Sequence, residues 1–154
     1  MSILLLLAGS AAAQAPDSDV SVSGIVPHDR ATIAPRLRDT TSLAALFADC
    51  TVDWEHGVTP KGPARVTYRI MSFRRRLTAT VSEKDPDHVI ELDHAGAKGF
   101  VTRFTLTPEG EGTSVAITTY LNPPGWPFRK YYYDTVMPAW RSCYEAALTR
   151  LETP

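Results

Sequence analysis

Through the middle of the chain, apolar and polar residues alternate with a period of two, the signature of strands buried on one face only. Val66, Tyr68 and Ile70 alternate with Thr67 and Arg69, Leu77, Ala79 and Val81 with Thr78 and Thr80, and Ile90 and Leu92 with Glu91 and Asp93. Phe100, Thr102, Phe104 and Leu106 oppose Val101, Arg103, Thr105 and Thr107, and Val115, Ile117, Thr119 and Leu121 oppose Ser114, Ala116 and Thr118. Residues 51–56 read as a further strand, followed by a loop from Gly57 to Pro63. Turn signals at Asp85-Pro86-Asp87, Gly96 to Gly99 and Pro108 to Gly112 leave no room for helices between these strands. Consecutive antiparallel hairpins follow, with one apolar sheet face that something must cover.

The flanking segments supply the cover. Val20, Val22 and Val26 alternate with Ser21 and Ser23, a strand pattern weakened by Gly24 and ended by Pro27. Residues 29–38 and 40–48 read as two short helices, with Asp29 capping the first and Asp39 or Thr40 the second. Ile33 and Leu37 form an i, i+4 pair, and Pro35 predicts a kinked or late-starting helix. After Asn122-Pro123-Pro124-Gly125, a helical pattern runs from about Phe128 to Leu151. Tyr133, Val136, Met137, Trp140, Cys143, Tyr144, Ala147, Leu148 and Leu151 fall on one face of it. At ~1.5 Å per residue such a helix crosses a whole sheet, and Pro138 predicts a kink or a split.

This order of elements resembles the START-like, or SRPBCC, superfamily, whose helix-grip fold is shared with Bet v 1-type proteins. The residues that carry the resemblance are Arg38-Asp39 through Leu46-Phe47, between the two small helices, and Gly99-Phe100 followed by Phe104-Thr105-Leu106-Thr107-Pro108 and Gly112-Thr113-Ser114-Val115. It spans roughly residues 20–152. It implies an α+β fold: an antiparallel curved sheet of six or seven strands wrapped around a long C-terminal helix, with two short helices after the first strand. It also implies a cavity between sheet and helix that holds a hydrophobic small molecule such as a lipid, quinone or polyketide-like compound. Some members are polyketide cyclases or aromatases, so catalysis in the same cavity is the alternative, and a protein-interaction module is a third.

Composition narrows the partners. A chain of 154 residues fits one domain, and 44% hydrophobic residues is enough for a genuine core. The formal net charge of −1 gives no global field for nucleic acid. No apolar run reaches the ~20 residues of a membrane span. The apolar run Ile3–Leu7 and the small residues Ala8–Ala15 match the core and cleavage region of a signal peptide. The expectation is a leader over residues 1–13, cut after Ala13, a linker over 14–19, and a periplasmic or secreted domain over 20–152. If the leader is retained, the protein is cytoplasmic. Cys50 and Cys143 are the only cysteines; they form either one disulfide closing a long loop or two buried thiols.

The candidate ligand-facing set is Tyr68, Ile70, Leu92, Phe104, Ile117 and Thr119 from the sheet and Met137, Trp140 and Tyr144 from the helix. Aromatic walls with a few polar tips suit an apolar ligand that must be oriented, and the same stripe also suits a filled core. His94 continues the alternation of Ile90 and Leu92 and points inward, either as an acid or base or as a hydrogen-bonded histidine at a turn. His28, His56 and His88 show no metal-ligand spacing with it or with the cysteines, so no metal is expected. Trp54 reads as a rim or portal aromatic. Arg74-Arg75-Arg76 reads as a solvated hairpin or an attractor for an anionic head group at a cavity mouth. Tyr131-Tyr132-Tyr133 cannot share one helical face; with Trp126 and Phe128 they make a gate, a rim touching a membrane transiently, or packing over the sheet edge. Motifs for a serine nucleophile elbow, a phosphate-binding loop, a dinucleotide fold or a zinc protease are missing from the sequence, and no cofactor is expected.

Overall fold

The alternating segments form seven strands: β1 (Val20–Val26), β2 (Thr51–Glu55), β3 (Ala64–Ile70), β4 (Phe73–Asp85), β5 (Val89–Ala95), β6 (Phe100–Glu109) and β7 (Gly112–Tyr120). They come from a computed structural model that describes residues 19–59, 62–71, 73–95, 99–121 and 124–154. The predicted leader, most of the linker and parts of the turns at 96–99 and 122–125 lie outside the described residues.

The strands make one curved antiparallel sheet in the order β1-β7-β6-β5-β4-β3-β2. Strands β2 to β7 are consecutive hairpins, the arrangement that the short turns dictate. Strand β1 returns to pair with the last strand, Val22 opposite Ile117 and Val20 opposite Thr119, which continues the apolar face across the seam. Gly24 is the flaw in the β1 pattern, and packing explains it. A Cβ there would stand 3.0 Å from a methyl carbon of Leu148, so glycine lets the C-terminal helix close on the strand. Gly110, at φ 59°, makes the hairpin between β6 and β7.

Strand β4 is longer than its apolar alternation predicts: 13 residues, with Arg74, Arg75 and Arg76 inside the strand instead of in a hairpin tip. Ladder bonds to β3 and β5 hold it beyond the core, where the side chains can be polar. On the outer sheet face Glu91 is covered by Arg103 and Lys84.

Two short helices, α1 (Arg30–Arg38) and α2 (Thr40–Leu46), follow β1. Asp29 accepts the Thr32 N–H at 2.8 Å and Asp39 the Ser42 N–H at 2.9 Å, so both predicted aspartate caps are formed. Helix α1 runs through Pro35, which is exposed, and buries Ile33, Ala34 and Leu37. Helix α2 stops two residues short of its predicted end, with Phe47 turning into the core as its cap.

The C-terminal helical stretch consists of α3 (Arg129–Tyr131), a π-helical segment (Tyr132–Val136) and α4 (Met137–Glu152). The predicted break at Pro138 is absorbed by that segment. The Met137 N–H reaches back five residues to the Tyr132 carbonyl, and the proline falls in the first turn of α4, where its missing N–H is tolerated. Helix α4 buries Trp140, Cys143, Tyr144, Ala147 and Leu151 against the sheet, and Cys143 is joined to Cys50 with their Cα atoms 5.7 Å apart. No helix among the described residues is long and apolar enough to cross a membrane.

Candidate functional site

The seam between sheet and α4 has two different ends. At one end α1 and α2 plug it. Phe47 sits with its ring centroid 6.1 Å from Phe104 and 5.9 Å from Tyr144, and Ile33, Leu37, Leu43 and Leu46 fill the remaining space. The Tyr144 hydroxyl lies 2.5 Å from Thr119 Oγ1 and 3.1 Å from Thr102 Oγ1, and burial pushes its pKa up to about 12. A buried phenol with both partners in place is a satisfied core group.

At the other end no short helix intervenes, and a cavity of about 490 Å³ remains. Its floor is aromatic. Trp140 stands 5.1 Å from Tyr68 and 5.2 Å from Phe100 between ring centroids, and these large rings cannot collapse into the space beside them. Ile70 and Leu121 extend the floor, and Pro124, Phe128, Tyr131, Tyr132 and Val136 form the roof. Arg74 and Arg75 complete the lining. Phe128, Tyr131 and Arg74 are exposed, so the cavity opens to solvent on their side. Its volume falls within the ~300–1,000 Å³ usual for small-molecule pockets.

The candidate ligand-facing set is therefore divided. Tyr68, Ile70 and Trp140 line the cavity. Leu92, Phe104, Ile117, Thr119 and Tyr144 are buried but lie in the filled core, outside the lining; Met137 is half-buried and packs at the core edge. The physical reason is position along the strands: alternation assigns a residue to the inner face, but the plug formed by α1 and α2 decides which part of that face stays empty. Phe100, Leu121, Tyr132 and Val136 are cavity residues that the inward set lacks, although Phe100 and Leu121 share the same alternation.

His94 is 1% exposed and does not line the cavity. Its Nδ1 lies 3.2 Å from the Phe100 carbonyl, which only accepts, so Nδ1 carries the proton. Nε2 then accepts from the Tyr68 hydroxyl at 2.6 Å. The ring also stacks on Phe100, with centroids 4.1 Å apart. Burial, reinforced by the nearby Arg75 charge, lowers the His94 pKa to about 3, and burial raises that of Tyr68 well above the usual phenol range. Both are neutral at physiological pH, and the pair fixes the Tyr68 ring in the cavity floor.

The remaining candidates separate by position. Arg76 is ion-paired to Glu55 outside the cavity. Arg75 is half-buried, and burial lowers its pKa, with the neighbouring Tyr132 acting the other way. Trp54 lies away from the cavity near His56, whose Nδ1 is 3.1 Å from Thr40 Oγ1; the Trp54 Nε1 is buried without a partner among the described residues. His28 bonds the Glu152 carbonyl and His88 the Leu106 carbonyl. Among the described residues no group of three or more His, Cys, Asp or Glu is placed to hold a metal ion. Trp126, 90% exposed, and Tyr133 lie outside the lining next to the roof.

No protein-family model matches the chain, and no curated protein sequence does. Solved structures do. KanY protein (ms6282), known from solution NMR, is similar over 86% of this chain and 92% of its own, with a TM-score of 0.73 and 19% identity. TTHA0849 from Thermus thermophilus is similar over 86% and 93%, with a TM-score of 0.71 and 19% identity. A START superfamily protein from Mycobacterium smegmatis is similar over 86% and 97%, with a TM-score of 0.61 and 14% identity. Likeness at these identities is likeness of fold, and with the curved seven-stranded sheet closed over a long C-terminal helix it shows that this chain has the START/SRPBCC-like helix-grip fold.

Proposed function

We propose that this domain binds a hydrophobic small molecule, of lipid, quinone or polyketide-like kind, in the cavity between the aromatic floor and the roof of the C-terminal helical stretch. The observation that carries this reading is the cavity of about 490 Å³ at the unplugged end of the seam, open to solvent and walled by Tyr68, Phe100 and Trp140. Rings packed edge-on and tilted against one another offer apolar area with little rotamer entropy to lose on binding, which favours holding a flat or flexible apolar body. Binding is favoured over chemistry because both His94 nitrogens are engaged within the protein and the ring lies behind the cavity wall. The Cys50–Cys143 disulfide supports export, since such bonds persist in oxidising compartments such as the periplasm.

Val136 lies in the roof, half-buried at the edge of the core cluster and away from the α1–α2 plug, where a larger side chain has the cavity to enter. Val136→Trp is expected to weaken binding of the neutral probe Nile red by about tenfold or more, with the melting temperature little changed. Unchanged affinity in the folded variant would show that hydrophobic ligands bind elsewhere.

A further inference from the structure

The three-arginine run is split by its place in the sheet. Arg75 pairs opposite Tyr68 across β3 and β4, so it shares the inward face with the aromatic floor. Arg76, one residue on, points to the other face and is neutralised by Glu55. Arg74 is exposed at the strand end and reaches the cavity lining. Both charged side chains of the lining are therefore arginines, and no carboxylate belongs to it among the described residues. Two acidic groups near the roof lie outside the lining: Asp19 acts on Tyr132, and Asp134 is paired with Lys130. A ligand entering this cavity meets an apolar interior and a cationic edge.

We propose that the cavity is built for an amphiphile with a single anionic group, a carboxylate or a phosphate, whose head is held by Arg74 and Arg75 while its apolar body lies against Tyr68, Phe100 and Trp140. This rests on the hydrophobic-ligand reading above and names the ligand's class. The two arginines have different parts. Arg75 is half-buried and sits opposite Tyr68 in the ladder, so its charge lies beside the floor. Arg74 has no ion pair or hydrogen bond among the described residues and can turn to meet an incoming anion. A guanidinium fork matches the geometry of carboxylate and phosphate oxygens, and the charge-assisted bonds strengthen where water is partly excluded. A neutral head leaves these groups without that gain, and a cationic head is repelled.

The test compares probes that share one tail: dodecanoate, dodecan-1-ol and dodecyltrimethylammonium, each below its aggregation concentration, with binding followed calorimetrically on the full chain. The expected result is that dodecanoate binds about tenfold or more tightly than the alcohol, with affinity falling as salt rises, and that the cation binds worst. Arg74→Gln should remove part of the preference, and Arg74→Gln with Arg75→Gln most of it. Arg74→Gln alone changes an exposed side chain, so the test survives if the double variant folds poorly. Equal binding of the acid and the alcohol, unmoved by either variant, would overturn the anionic-head assignment and leave the hydrophobic-ligand reading standing. Binding of none of the three would overturn both. A parallel incubation with vesicles of phosphatidylglycerol, against phosphatidylcholine alone, separates the two sources of such a ligand. Lipid carried off by the protein identifies a membrane headgroup, and dodecanoate binding without lipid transfer identifies a free acid.

Discussion

At the scale of single residues, His94 shows how the same side chain can be legible in orientation and illegible in role. Alternation places it inward, but the hydrogen bonds that decide its chemistry come from Tyr68, on another strand, and from the Phe100 carbonyl. The arrangement has a pH signature. In the folded protein His94 takes up a proton only near pH 3, against a reference value of 6.5. Between these values the unfolded chain binds the extra proton, so acidification favours unfolding: the stabilisation is complete above pH 6.5 and is lost as pH falls towards 3. Urea denaturation at pH 7, 6, 5 and 4 should show the natural protein losing up to about 1.4 kcal/mol per pH unit more than His94→Gln once below pH ~6. Glutamine can accept from Tyr68 and donate to the carbonyl but does not titrate, so the difference in slope isolates the imidazole. Parallel slopes would mean that His94 is not held neutral in the folded state. The same contrast applies to Leu92, Phe104, Ile117 and Thr119: their inward direction was readable from period two, but whether they face ligand or core depended on residues far away in sequence.

At the scale of elements, the strands, both short helices and the long C-terminal helical stretch could be read from periodicity and capping residues. What periodicity left out were the contacts that lock elements together end to end. Arg36 of α1 donates to three carbonyls at the C-terminus of α4, those of Arg150 at 3.1 Å, Leu151 at 3.2 Å and Thr153 at 2.8 Å. Arg150 in turn donates to the Leu46 carbonyl at the end of α2 and to Asp49. The last carbonyls of a helix lack intrahelical partners, and these guanidinium groups supply them. On a helix diagram Arg36 is only a polar residue near a proline; its function exists because α1 ends up beside the far end of α4. Arg36→Met keeps the length of the aliphatic stem and removes the donors, and should lower stability by roughly 1–3 kcal/mol in urea denaturation. Arg30→Met, in the same helix and with no hydrogen bond among the described residues, should stay within about 0.5 kcal/mol. Equal effects would assign the loss to charge or helix propensity instead of to the carbonyl contacts. The π-helical segment follows the same logic: Pro138 announces a disturbance, and the tertiary setting chooses a wide turn just before it, over the cavity.

At the scale of the whole molecule, the fold is secured at one end and hollow at the other. The plug of α1 and α2 and the arginine contacts gather at the core end, while the Cys50–Cys143 bond lies behind the cavity floor, where the Arg69 N–H, between the floor residues Tyr68 and Ile70, donates to the Cys50 carbonyl at 2.9 Å. The cysteines could be named as a pair from the sequence, but only the docking of α4 beside the segment after α2 brings their backbones within reach of each other. The separation of 93 residues makes this a long loop, for which chain entropy predicts up to about 4–5 kcal/mol of stabilisation. The double variant Cys50→Ala, Cys143→Ala, or reduction with a dithiol, should therefore lower the unfolding free energy by roughly 2–5 kcal/mol, and alkylation before and after reduction verifies that the bond was present. Under conditions where the double variant remains folded, its affinity for Nile red should match that of the natural protein, because neither cysteine lines the cavity. A folded variant that has lost binding would show instead that the crosslink, by fixing α4 one turn beyond Trp140, sets the shape of the cavity floor. The division of labour between a locked core end and an open binding end would then have to be replaced by a single cooperative unit.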